Sequence, residues 1–169
     1  MRISLRPVGD VPGDVLEDLV EDLKDLGTAT ILEPLPLGAE SLDAERGQHR
    51  AESLLEALAA GPGDRVLGIT AADLYTGSYK FIFGLARIQG TPAVISLARV
   101  ATPDPARFRE RVAKEAIHEI GHTLGADNCP NRGCVMSFSD SAEAVDRKTR
   151  SFCGRCRPTI DFTLKRLRT

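Results

Sequence analysis

Apolar residues in the first third of the chain fall at two alternating spacings. Residues 3–8 (ISLRPV) form a short apolar run, whereas Val15, Leu16, Leu19, Val20 and Leu23 recur three and four apart between Pro12 and Leu26, and Gly27 closes the pattern. The run predicts a strand and the spacing an amphipathic helix. The alternation repeats with a strand over residues 28–35, a helix over 48–60 stopped by Gly61 and Pro62, and a strand over 65–70. Strands separated by helices predict a largely parallel sheet. Residues 79–86 and 93–100 are further apolar, β-branched or aromatic runs, separated by Gly90, Thr91 and Pro92 with no helix between them. They predict a sheet pair, one member an edge.

Thr102, Pro103, Asp104 and Pro105 start a long helix, with Asp104 as N-cap and Pro105 as its first residue. It runs to about Leu124, where Gly125 ends it. No regular pattern follows until about Thr149, and Ile160, Leu164 and Leu167 then mark a closing helix over 157–167. There is no internal repeat and no low-complexity linker. The chain of 169 residues therefore predicts one domain, with an N-terminal α/β part (1–125) and a C-terminal part (126–169).

The long helix carries the chemistry. Phe108, Val112, Ala113, Ala116, Ile117, Ile120 and Leu124 fill one half of its wheel. His118 and His122 lie outside that arc, at about 280° and 320° from Phe108, on a polar stripe with Arg111 and Glu115, so both histidines should face a cleft or solvent. Glu119 sits at the apolar border. Two histidines four residues apart project from one helical face at a spacing that can close on a single Zn²⁺, with Glu119 beside them as a base, which is the HExxH arrangement of zinc hydrolases.

Composition adds a charge asymmetry. The net charge is only −2, but residues 129–169 hold nine Lys or Arg against four Asp or Glu, leaving 13 against 20 in the preceding part. The tail could be a nucleic-acid footprint, but no aromatic interleaving supports one; a basic tail packed on an acidic body is the expectation. No stretch approaches 18 uninterrupted apolar residues and the N-terminus has no apolar signal region, so a cytoplasmic protein without a membrane partner is expected. In a reducing compartment the four cysteines are better explained as metal ligands than as disulfides. Cys129 and Cys134 form one close pair, and Cys153 and Cys156 a CxxC. Two such pairs predict a closed Cys₄ zinc site, which would staple the irregular stretch to the final helix.

His118, Glu119, His122, Gly125, Cys129, Cys134, Met136, Cys153 and Cys156, in that order and spacing, resemble the archaemetzincins, a branch of the metzincin zinc peptidases. Their pattern is HExxHxxGxxHC, a second Cys after four residues, then x-Met, a spacer and a closing CxxC. The match covers residues 118–156, with a spacer one residue shorter than the family pattern; the first 117 residues agree only in α/β character. The resemblance implies a metzincin-like mixed sheet with flanking helices, an active-site helix and a peptidase activity on peptide or protein substrates. It also implies that Gly125 turns the chain sharply so that residue 128 swings back towards the metal, that Met136 is the Met-turn residue beneath the histidines, and that residues 79–86 form the upper rim of the cleft. A zinc ion there would polarise the scissile carbonyl and acidify a water, with Glu119 accepting and later returning the proton.

One position departs from the pattern. Asn128 stands where the third histidine ligand belongs, and its neutral amide oxygen is a weaker zinc ligand than imidazole or carboxylate. Asp127 has the right chemistry one residue early, and water completing a two-histidine site is the third option. His49 is remote and expected on the solvent face near the start of the second helix. Tyr75 and Tyr79 are candidate hydroxyl donors to an oxyanion, although strand or loop placements are the plainer expectation; Phe138, two residues after Met136, offers none. Three functions therefore compete: a zinc peptidase of conditional activity, an inactive peptide-binding relative keeping only the Cys₄ zinc, and a zinc-stapled nucleic-acid module. Glu119 favours the first and Asn128 the second, with a monomer favoured throughout.

Overall fold

A computed structural model describes residues 1–168. Its elements are β1 (Arg2–Pro7), α1 (Gly13–Asp22), β2 (Thr28–Ile31), β3 (Leu42–Asp43), β4 (Gln48–Arg50), α2 (Ala51–Leu58), β5 (Arg65–Thr70), β6 (Leu74–Tyr75), β7 (Gly84–Ala86), β8 (Pro92–Ser96), α3 (Pro105–Thr123), α4 (Ala142–Arg147) and α5 (Arg157–Arg168). A five-stranded sheet runs in the order β2-β1-β5-β8-β7. Its inner pairings are parallel and only the edge strand β7 is antiparallel, against β8. The alternating strands and helices thus give the mixed α/β sheet expected, with the 79–100 pair at its edge.

Every residue of β5 is buried, which accounts for its continuous apolar run. Leu67 and Ile69 face one side, with Val15, Leu16 and Leu19 of α1 and Val112, Ala116 and Ile120 of α3. Val66 lies on the other side with Leu54, Leu55 and Leu58 of α2. Gly68 shares that second face by alternation with Val66, and a β-carbon there would run into the Leu58 side chain. The sheet is thereby sandwiched, and α3 is held against β8 and β7.

Several predicted boundaries move: α1 ends at Asp22 and the strand over 93–100 at Ser96. Residues 48–50 are not helix but a strand, pairing with β3 and β6 in a second, three-stranded sheet, so α2 starts at Ala51. The strand over 28–35 ends at Ile31, after which Pro34 and Pro36 have no N–H to offer a ladder. Of residues 79–86 only Gly84–Ala86 is strand. The stretch without pattern contains α4, capped by the Ser141 hydroxyl accepting from the Ala144 N–H; at six residues it is too short to show a period. The closing helix forms as expected and buries Ile160 and Leu164.

His118 and His122 face a cavity, as expected, while the polar residues before them on α3 are covered by the chain: Arg111, Lys114 and Glu115 are buried. Arg111 donates a fork of bonds to Asp146, 2.8 and 2.7 Å, and Lys114 donates to the Val145 and Asp146 carbonyls. Lys148, fully buried, sits 2.8 Å from Glu115. Arg150 bridges Asp22 and Glu110. The basic C-terminal part therefore packs onto the acidic body through specific pairs and closes over the helix that carries the histidines.

Candidate metal centre

α3 begins where expected: the Asp104 carboxylate accepts from the Ala106 and Arg107 N–H groups, with Pro105 in the first turn. Near its C-terminal end, His118 and His122 turn edge to face, and their Nε2 atoms lie 3.1 Å apart. Each Nδ1 sits against a backbone carbonyl, His118 on Val135 O at 2.8 Å and His122 on Ala126 O at 2.7 Å. A carbonyl only accepts, so both protons are on Nδ1 and both Nε2 atoms present lone pairs. Two lone pairs facing each other at this distance repel unless a cation lies between them. Burial lowers the pKa of both rings, well below the usual value for His118, where Lys148 adds to the effect, so both are neutral donors at physiological pH. The donor set fits a zinc ion.

Glu119 faces the same space. Burial holds its carboxyl well above the usual carboxylate range and Glu115 adds to that, while Lys148 opposes it. The carboxyl packs against β7 at Gly84, where a β-carbon would come 2.6 Å from Glu119 Oε1 and 2.7 Å from the Val94 carbonyl. His118, Glu119, His122 and Asn128 line a cavity of about 480 Å³. Its other walls are largely apolar and include Phe83, Leu85, Ile88 and Phe138. The outer edge of β7, with no strand beyond it in the sheet, borders this cavity.

Gly125 adopts φ +99°, a conformation that disfavours any side chain, and the Ala126 N–H donates back to Gly121 O at 3.0 Å. The chain therefore doubles back over the end of α3. Asn128 follows on the cavity wall, its side chain against His122, whereas Asp127 is exposed and does not line the cavity. Met136 is buried with its sulfur packed against Gly121, the one α3 position between the histidines without a side chain to obstruct it. Tyr79 lies at the cavity mouth and Phe138 on its wall. Tyr75 is elsewhere, beneath the Arg46 guanidinium at 4.1 Å. His49 is in β4, bonded through Nδ1 to Ser41 Oγ at 2.7 Å, rather than on the solvent face of α2.

The four cysteine sulfurs lie within 4.8 Å of one another, and no other group of three or more His, Cys, Asp or Glu among the described residues comes together in that way. Cys129 and Cys153 sulfurs are 3.6 Å apart, near the edge of a tetrahedron with sulfur arms of about 2.3 Å. Backbone N–H groups of Cys156 and Arg155 lower the Cys153 thiol to about 6, while burial raises Cys134 and Cys156. One thiolate is thus ready before a metal draws off the remaining protons.

Sequence reasoning missed three parts of this site. The Lys148–Glu115 pair leaves only a regional charge imbalance in the sequence. Gly84 stands out solely as a glycine inside the run FIFGLA. Arg46 and Gln48, which donate to the Tyr79 and Lys80 carbonyls on the cavity rim, come from a hairpin that reads as a helix start.

No helix among the described residues is long and apolar enough to cross a membrane. The model of peptidase family M54 matches residues 35–161. The chain is 51% identical to the archaemetzincin of Methanopyrus kandleri over 123 residues, which cover 72% of this chain and 70% of that protein. It is 38% identical to the archaemetzincin of Haloquadratum walsbyi, covering 92% and 97%. The crystal structure of the Methanopyrus kandleri archaemetzincin superposes with a TM-score of 0.90 at 40% identity, over 98% of this chain and 96% of that one. That of Archaeoglobus fulgidus gives 0.88 at 37%, over 94% and 99%. With the paired imidazoles, the buried glutamate and the thiol cluster in place, these likenesses settle the assignment: the chain belongs to peptidase family M54, the archaemetzincin zinc metallopeptidases.

Proposed function

We propose that His118 and His122 hold a catalytic zinc, with the Asn128 side-chain oxygen as a weak third ligand, and that the four cysteines hold a separate structural zinc. The 3.1 Å approach of the two Nε2 atoms, with both Nδ1 atoms turned to carbonyls, carries this reading, since a shared cation relieves the repulsion between their lone pairs. The placement of Asn128 on the cavity wall supports it over Asp127, and the weaker amide donor makes occupancy conditional on zinc supply. When bound, the zinc polarises the scissile carbonyl and acidifies the attacking water. Glu119, desolvated against Gly84, accepts the water proton and returns it to the leaving amine. The free edge of β7 lets an extended peptide add as a further strand across the apolar cavity. In this reading residues 1–169 are one catalytic domain, 1–125 supplying the active helix and 126–169 the stapled cover, acting as a monomer in the cytoplasm.

Zinc per chain after gentle purification, with cleavage of a peptide library, is the test. Two equivalents with cleavage are expected at adequate zinc, and Asn128→His should raise occupancy of the histidine site. One equivalent under all conditions would favour the second reading, an inactive peptide-binding protein, for which the missing third histidine is the specific argument.

A further inference from the structure

After the basic C-terminal part has bound the body, some of its charge is left over. Lys148 and Arg150 are taken up by Glu115, Asp22 and Glu110, and Arg157 pairs with Asp161. Arg132 and Arg147 are exposed, and their guanidiniums make no ion pair or hydrogen bond among the described residues. Both line one cavity of about 210 Å³, with Ser137, Phe138, Asp140 and Ala144. Phe138 and Asp140 also line the larger cavity that holds the histidines, so the two spaces adjoin across that pair.

We propose that this smaller cavity is a substrate subsite for a carboxylate, the side chain of an Asp or Glu close to the scissile bond; the proposal rests on the peptidase reading above. A guanidinium presents two parallel N–H groups that match the two oxygens of a carboxylate, and a second guanidinium on the same cavity can reach the lone pairs the first leaves free. Asp140 offsets one of the two positive charges, leaving the cavity net positive and suited to one anion. Phe138, 54% exposed between the two cavities, offers an apolar surface to the stem of the residue whose carboxylate passes beyond it. A nucleic-acid backbone fits less well, because it needs a line of cations along successive phosphates rather than two around a small cavity that also contains Asp140.

The test is equilibrium binding, by fluorescence anisotropy, of two labelled peptides that share an apolar residue and differ in having Asp or Asn at each neighbouring position in turn, with cleavage of both followed in parallel. In the wild type one Asp position should bind about three- to tenfold tighter than its Asn counterpart. In the Arg132→Gln/Arg147→Gln double variant that ratio should fall to one, and in Arg132→Glu/Arg147→Glu it should invert. A wild-type ratio of one at every position, or a ratio that survives the Gln variant, overturns the subsite. Binding that shows the ratio without cleavage of either peptide supports the subsite and removes the peptidase reading; equal cleavage of both peptides does the reverse. Displacement of the Asp peptide by a single-stranded oligonucleotide, but not by free glutamate, would assign the two arginines to phosphate recognition and overturn the proposal.

Discussion

Glu119 and Gly84 fit together so closely that the general base candidate occupies the space a side chain at 84 would need, with 2.6 Å from the missing β-carbon to the carboxylate oxygen. Gly84→Ala should therefore displace the carboxyl or the edge strand. Overpacking of this kind costs about 1–3 kcal/mol, and a displacement of a catalytic group by about an ångström is worth a factor of about 100 in rate. The expected outcome is a folded protein with a modestly lower Tm and kcat reduced at least tenfold. Unchanged turnover would show that the carboxyl does not work from this position.

Burial sets the pH response of the metal-free protein. The folded pKa of Glu119 is raised, so whatever it contributes to stability is present below its unfolded pKa and is lost as pH rises through the folded value. Glu119→Gln cannot ionise and avoids that loss, which amounts to about 1.4 kcal/mol for every tenfold by which folding weakens the acid. Thermal unfolding in chelator should show the variant gaining on the wild type as pH rises from 5 to 8. His118 and His122, with lowered folded pKa values, act on the acid side: their contribution is present above the ordinary histidine pKa and is lost as pH falls through the folded values, in both proteins alike.

Lys148 and Glu115 form a buried pair whose removal should depend on how it is done. Either single change, Lys148→Met or Glu115→Leu, leaves one charge without its partner and should cost about 3–5 kcal/mol. The double variant should recover much of that loss. Chemical denaturation of all four proteins checks the cycle, and additive losses would mean that the pair is not coupled.

Arg46 braces the cavity rim from the second sheet, donating to the Tyr79 carbonyl at 2.5 Å and lying over the Tyr75 ring. The chain has two tyrosines and no tryptophan, so tyrosine fluorescence reports on this segment alone. Arg46→Ala should change that signal and raise KM severalfold with little effect on kcat. A change in kcat with constant KM would place the effect at the chemistry instead.

The main sheet was legible because its strands and helices differ in period and because β5 is apolar throughout, as a strand covered on both faces must be. The HExxH face and the cysteine ladder were legible because short spacings fix the distances between their side chains. What escaped was long-range. The wheel of α3 put Arg111 and Glu115 on a polar side, but only the fold shows that Asp146 and Lys148, 35 and 33 positions along the chain, cover it. The strand at 48–50 was lost for a related reason: it exists through pairing with Leu42–Asp43 and Leu74–Tyr75, not through any pattern of its own.

The proposed structural zinc gives a further outcome. Removing it by Cys153→Ser and Cys156→Ser should raise amide hydrogen exchange first in residues 129–156, with the five-stranded sheet still protected. Loss of protection across the sheet would show that the staple supports the whole fold.

Asn128 and Cys129 are consecutive, and the Cys129 N–H is bonded to the carbonyl of Met136 at 2.8 Å. Asn128 and the methionine under the histidines thus hang on the same short arch as the first cysteine of the cluster. If both sites take zinc as proposed above, loading would follow an order: closing the thiol cluster would fix this arch before the imidazoles complete their own site. The two positions would then behave as a logical AND. Under zinc scarcity the chain would pass first into a shaped but idle form, and only a second ion would turn it on.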